Sequence, residues 1–177
     1  MTDQQKASTL AGEAFDHWQA GRHEQSRQVY EEAISLADPE HYGLSGYYGE
    51  YACVLNALGC HEQAATQLEK ALAADLAQGQ PEGSPAIIVA RYLLASQLLQ
   101  LGANEDALEV LAPSISHAPG DWLTRLAEAR ILYALDRKVE AIAAAQLAVA
   151  GATNPEKAQQ LRQDLERVLA ATDSLQS

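Results

Sequence analysis

The residues best suited to chemistry in this chain are two cysteines, five histidines and two acidic doublets. Cys53, Cys60 and His61 lie close together and could offer metal ligands. Zinc, however, asks for four ligands at short, characteristic spacings, so no metal site is expected. The seven-residue spacing of the cysteines places them on one helical face, roughly 10 Å apart by the helical rise. That is too far for a disulfide without backbone rearrangement, and free, partly buried thiols are expected. The other histidines are His17, His23, His41 and His117, and none forms an HExxH pair. Glu31 with Glu32 and Glu105 with Asp106 could supply paired carboxylates for acid–base work. Both doublets fall on helical faces expected to be wet, and the second also suits a helix N-terminus. There is no GxxxxGKS, GxxxxGKT or GxGxxG phosphate loop and no GxSxG elbow. No catalytic residue, cofactor-binding residue, metal ligand or cofactor is therefore expected, and the chain reads as non-enzymatic.

The elements that carry these residues follow a repeat. Ala95, Leu98, Leu101, Ala107, Leu108 and Leu111 line up with Ala129, Leu132, Leu135, Ala141, Ile142 and Ala145, at an offset of 34 residues for every pair. A fixed self-offset in this range marks stacked structural repeats. Each copy reads as two amphipathic helices around a tight turn, with alanine where the helices must approach closely. An earlier copy has Ala52, Gly59, Ala64, Leu68 and Ala71 in the same register, and a more divergent one has Ala14, Gly21, Ser26, Tyr30 and Ala33.

This spacing and residue set resemble the tetratricopeptide repeat (TPR) family. The resemblance implies an all-α, right-handed solenoid of antiparallel helix pairs with about nine helices. One domain over residues 1–177 is expected, with repeats near 7–40, 45–78, 88–121 and 122–153. Asp136 stands where the family prefers the turn glycine, and His23 and His61 fill the tyrosine position that follows it.

Helices are predicted over about 4–20 and 23–37, each with an apolar stripe at helical spacing. The pair over about 39–77 contains Gly43, Gly46 and Gly49. These imply either a lead-in loop reaching to about Ser45 or a close backbone neighbour. Residues 78–85 (QGQPEGSP) are a loop by composition. It is read as a longer connection within one domain, with a boundary between two half-domains as the alternative. Pro113 should kink or end its helix about a turn early. Pro155 opens a capping helix to about Ala171, with Leu161, Leu165, Val168 and Leu169 on its apolar face. The tail from Thr172 is expected to fray.

Apolar residues make up 47% of the chain, enough to bury a core and to exclude wholesale disorder. No apolar run approaches the ~18 residues of a membrane helix, and the polar start lacks the apolar stretch of a secretory signal. A soluble, cytoplasmic protein is expected. The formal charge is −12, divided as −9 over residues 1–90 and −3 over 91–177. Such a field repels phosphate backbones, so no nucleic-acid partner is expected; nor is a membrane.

What remains is a binding surface. The family resemblance places ligand contacts on the first helix of each repeat, here at Ala11, Phe15, Trp18, Gly49, Cys53, Asn56, Tyr92, Ser96, Leu99, Leu126, Arg130 and Tyr133. Aromatic side chains and arginine are common anchors of protein-binding hot spots. The expected function is a protein–protein interaction module, an adaptor, scaffold or assembly factor with another protein or peptide in its concave groove. The alternative is an acidic immunity-type inhibitor or secretion chaperone dedicated to one basic partner. A homodimer through an exposed repeat face is compatible with either.

Overall fold

The computed structural model describes residues 2–174, and among these every regular element is a helix. Ten helices follow in order: α1 (Asp3–Gln19), α2 (His23–Leu36), α3 (Leu44–Ala57), α4 (His61–Ala77), α5 (Pro85–Gln100), α6 (Asn104–His117), α7 (Trp122–Ala134), α8 (Lys138–Ala150), α9 (Pro155–Asp164) and α10 (Glu166–Ser174). They gather into two compact units. The first, Met1–Gln80, holds α1–α4, and the second, Pro81–Ser177, holds α5–α10.

Four helical hairpins, α1–α2, α3–α4, α5–α6 and α7–α8, repeat one construction. At each bend the amide two positions past the helix end bonds back to close the last turn. In the first, Gly21 N donates to Trp18 O at 2.9 Å and Arg22 N to His17 O at 2.9 Å. The pattern needs one residue in the left-handed region. Gly21, Gly59 and Gly102 supply it at φ 73°, 76° and 78°, and Asp136 does so at φ 57°.

The first helices of three hairpins also carry side-chain caps. Thr2 makes a reciprocal capping box with Gln5, Ser84 accepts from Ile87 N, and Asp121 accepts from Thr124 N. The second helices start directly out of the bend without a capping side chain.

Small residues let the two helices of a hairpin approach. Ala14 and Ser26, Ala52 and Ala64, Ala95 and Ala107, and Ala129 and Ala141 are all almost completely buried. Ser26 Oγ donates to Ala14 O at 2.7 Å, so the buried hydroxyl is satisfied. Around these contacts the apolar faces form the core of each unit. In the second unit, Leu126, Leu132, Leu161, Leu165 and Val168 share one cluster, while Ala95, Leu111 and Ile131 share another.

Two local expectations are corrected, and one pair of alternatives is decided in favour of the lead-in loop. Helix α6 runs through Pro113 to His117 instead of ending early. Proline removes one backbone bond, and the carbonyl left without it belongs to Glu109, an exposed position, while Leu111 and Ser114 on either side are fully buried. The C-terminal cap is two helices, interrupted at fully buried Leu165 (φ −107°, ψ 11°). The lead-in to α3 ends at Gly43. A Cβ at Gly46 or Gly49 would meet nothing within 4 Å, so no close neighbour accounts for those two glycines. The expected fraying of the tail lies partly outside the described residues.

Candidate functional site

In the first unit, Ala11 is buried in α1, while Phe15 and Trp18 are half-buried with ring centroids 5.5 Å apart. Asn56 is committed within the unit, its Oδ1 lying 3.1 Å from His61 Nδ1. That contact turns His61 toward an amide, and among the described residues no group of three or more His, Cys, Asp or Glu could hold a metal. Gly49 is half-buried, and Cys53 and Cys60 are free thiols. Cys60 is half-buried as expected, but Cys53 corrects the expectation of partly buried thiols, since it lies exposed on α3.

The carboxylates of this unit are engaged in structure. Tyr30 Oη donates to Glu50 at 2.9 Å, and Tyr51 Oη donates to Glu31 at 2.7 Å. The two rings lie 5.9 Å apart across α2 and α3. Arg27 also donates to Glu31, at 3.1 Å. The Tyr51 hydroxyl, helped by Arg27, holds Glu31 below the usual carboxylate range. Burial, then the facing carboxylates, raises both phenols well above theirs. Glu32 pairs with Lys6 at 2.8 Å. The doublet Glu31–Glu32 is thus split between two structural pairs.

In the second unit, α5 and α7 pack directly against one another. Ser96 and Arg130 occupy the same register, six residues before Gly102 and Asp136 respectively, and Leu99 and Tyr133 share the next turn. Tyr92 is half-buried against both core clusters and Leu99 against one. Tyr133 is exposed. Leu126 departs from its expected place: at 4% exposure it belongs to the core beneath α8 and α9, so it offers no free surface.

Among the described residues Arg130 is the half-buried arginine without a partner; Arg162 and Arg167 also lack one but are exposed. Arg91 makes a bidentate pair with Glu82, Arg125 pairs with Glu128, and Arg137 pairs with Glu140. Arg130, half-buried on α7, has no hydrogen-bond or ion-pair partner among the described residues. Trp122, at the start of α7, packs against the core with Lys157 Nζ 4.5 Å above its ring.

These hairpins, with alanines at the crossings and a left-handed residue at each bend, have counterparts among solved structures. The chain is similar to BtubC (BKLC) from P. vanneervenii, with 19% identity, a TM-score of 0.73, and 98% of this chain and 84% of that one covered. It is similar to the nearly identical TPR-like repeats of a putative kinesin light chain from Podosopora anserina, with 19% identity, a TM-score of 0.76, and 99% and 91% covered. The fold is TPR-like. A third likeness is to MamA from Desulfovibrio magneticus RS-1, at 17% identity with a TM-score of 0.66, covering 97% and 98%. No protein-family model matches the sequence, and no curated protein is similar to it at a significant level. Among the described residues, no helix is long and apolar enough to cross a membrane.

One feature of this TPR-like chain escaped the sequence. A cavity of about 250 Å³ lies between α6, α7 and α8. Its lining is drawn from α6, α7, α8 and the bend between the last two, which no motif within a single helix pair specifies.

Proposed function

We propose that this chain is a non-enzymatic protein–protein interaction module, serving as an adaptor, scaffold or assembly factor. Its binding surface in the second unit is the face of α5 and α7 that presents Tyr92, Ser96, Leu99, Arg130 and Tyr133. The carrying observation is Arg130, a half-buried guanidinium left without a partner while Arg91, Arg125 and Arg137 are all paired. A partly desolvated, unpaired charge costs free energy in the isolated protein. A partner that brings a carboxylate or backbone carbonyl to it recovers that cost, and the neighbouring aromatics supply apolar contact.

The test is affinity capture with the wild type alongside Tyr92→Ala and Arg130→Ala. The expected result is one partner whose retention falls at least tenfold in both variants. Retention unchanged in both, or intrinsic turnover by the purified protein, would overturn this reading. The charge of Met1–Gln80, twelve acids against four bases, favours a second reading: an acidic inhibitor or secretion chaperone masking one basic partner. A partner retained by both variants but released by moderate salt would select it, since exposed charge attraction is screened.

A further inference from the structure

The second helix of each hairpin carries an outward stripe, and its chemistry changes at α8. Three residues past the left-handed residue of the bend stand Glu24, Glu62 and Glu105 in α2, α4 and α6, but Val139 in α8. Seven past it stand Gln28, Thr66 and Glu109, then Ala143. Eleven past it stand Glu32, Lys70 and Pro113, then Leu147. Val139 is 68% exposed and Leu147 46%, with Ala143 exposed between them. The inner side of α8, with Ala141, Ile142, Ala144, Ala145 and Ala148, is buried. A helix apolar on both sides is ordinarily covered on both. An exposed valine in the first turn also gives up the attraction to the helix dipole that Glu24, Glu62 and Glu105 gain.

The stripe is complementary to itself. Val139, Ala143 and Leu147 stand four residues apart, large, small and large, so the profile reads alike in both directions. A two-fold contact, in which both copies use one patch, needs such a profile. Charge agrees with an antiparallel arrangement. Helix α8 starts with Lys138 and has no basic residue in its last turn. The carbonyls of Ala148 and Ala150 accept no bond from the backbone that follows among the described residues. An antiparallel copy brings Lys138 of one helix beside those carbonyls of the other and opposes the two helix dipoles. From Ala141 to Ala150 the helix is uncharged, and the flanking carboxylate of Glu140 is held by Arg137 at 2.6 Å. Two copies of formal charge −12 can therefore meet along α8 without setting bare carboxylates against each other.

We propose that α8 packs antiparallel against α8 of a second copy of this chain, about a two-fold axis at Ala143. The small side chain lets the helix axes approach closely, and at each end Val139 of one copy lies level with Leu147 of the other. The stripe is much smaller than the ~20–30 residues a side of a standard interface, so the dimer is weak, with a Kd on the order of 0.1 mM. This contact uses neither Arg130 nor the face of α5 and α7, so it stands or falls apart from the interaction-module reading.

The experiment is sedimentation equilibrium of the full chain over about 20 μM to 1 mM, a range that brackets such a Kd. The wild type should show a reversible monomer–dimer equilibrium. Val139→Glu restores the residue of the other three hairpins at an exposed site, and it should raise Kd at least tenfold with an unchanged urea midpoint. Leu147→Glu should do the same. Arg130→Ala should leave the dimer intact, and so should Leu93→Glu, at an exposed apolar position of α5. A wild type that stays monomeric throughout overturns the proposal and leaves the stripe for a different protein. A dimer that survives both Val139→Glu and Leu147→Glu, or that is lost in Leu93→Glu instead, overturns it as well.

Discussion

Asp136 and Gly151 each occupy a position where one atom decides the local energy. Asp136 takes the left-handed conformation that Gly21, Gly59 and Gly102 take at the other bends, and a Cβ there is strained. Its ion pair with Lys138, 3.3 Å across an exposed surface, offsets little of that. Asp136→Gly should therefore stabilise the protein, by about 0.5–1 kcal/mol net of the added chain entropy. The readout is a higher urea midpoint with an unchanged slope. Gly151 presents the opposite case. A Cβ there would come within 2.5 Å of Gly120 O and 3.4 Å of Leu147 O, both backbone atoms. Neither can move without shifting the end of α8 or the bend before α7. Gly151→Ala should cost about 1–3 kcal/mol, as overpacking does, and wild-type stability in that variant would disprove the close approach.

At the scale of elements, the crossed Tyr–Glu pairs join α2 to α3 and make their packing sensitive to alkali. Both phenols have folded-state pKa values raised above the ordinary value near 10. Folded protein then holds protons that the unfolded chain has already released. The contribution is complete below pH ~10 and falls as pH rises through the folded-state values. Denaturation between pH 8 and 11.5 should show flat stability, then a decline, and Tyr51→Phe should make the decline shallower. These pairs were hidden in the sequence because they join residues 20 apart on different helices, whereas the repeat register sees only positions within a pair. Alanine at crossings, glycine at bends and the 34-residue offset were legible, because each reflects a backbone requirement met locally. Pro113 misled because its missing bond falls where the solvent is near, and packing of Leu111 and Ser114 carries α6 onward. Leu126 misled for a related reason. Its register position is buried at Ala11 and only half-exposed at Gly49 and Tyr92, and here Leu161, Leu165 and Val168 of the C-terminal cluster cover it completely. The unpaired state of Arg130 could not be read at all, since it depends on which carboxylates the other arginines reach.

At the scale of the molecule, charge separates the two units more sharply than composition does. Met1–Gln80 carries twelve acids and four bases, a formal −8, while Pro81–Ser177 carries twelve acids and eight bases, a formal −4. Like charges repel within a compact body, and the effect weakens as the Debye length falls from about 30 Å at 0.01 M salt to about 8 Å at 0.15 M. The first unit should therefore lose more stability than the second at low ionic strength. The sequence provides a reporter for each, Trp18 on α1 and Trp122 on α7. In Trp122→Phe the remaining fluorescence follows the first unit, and in Trp18→Phe it follows the second. Near 10 mM salt the Trp18 signal should unfold at lower urea than the Trp122 signal, and the two midpoints should converge by about 150 mM. Coincident transitions at every salt concentration would show that nearest-neighbour coupling between repeats outweighs the charge difference. In that case the acidic excess of the first unit acts on what the protein meets in solution and not on its own folding.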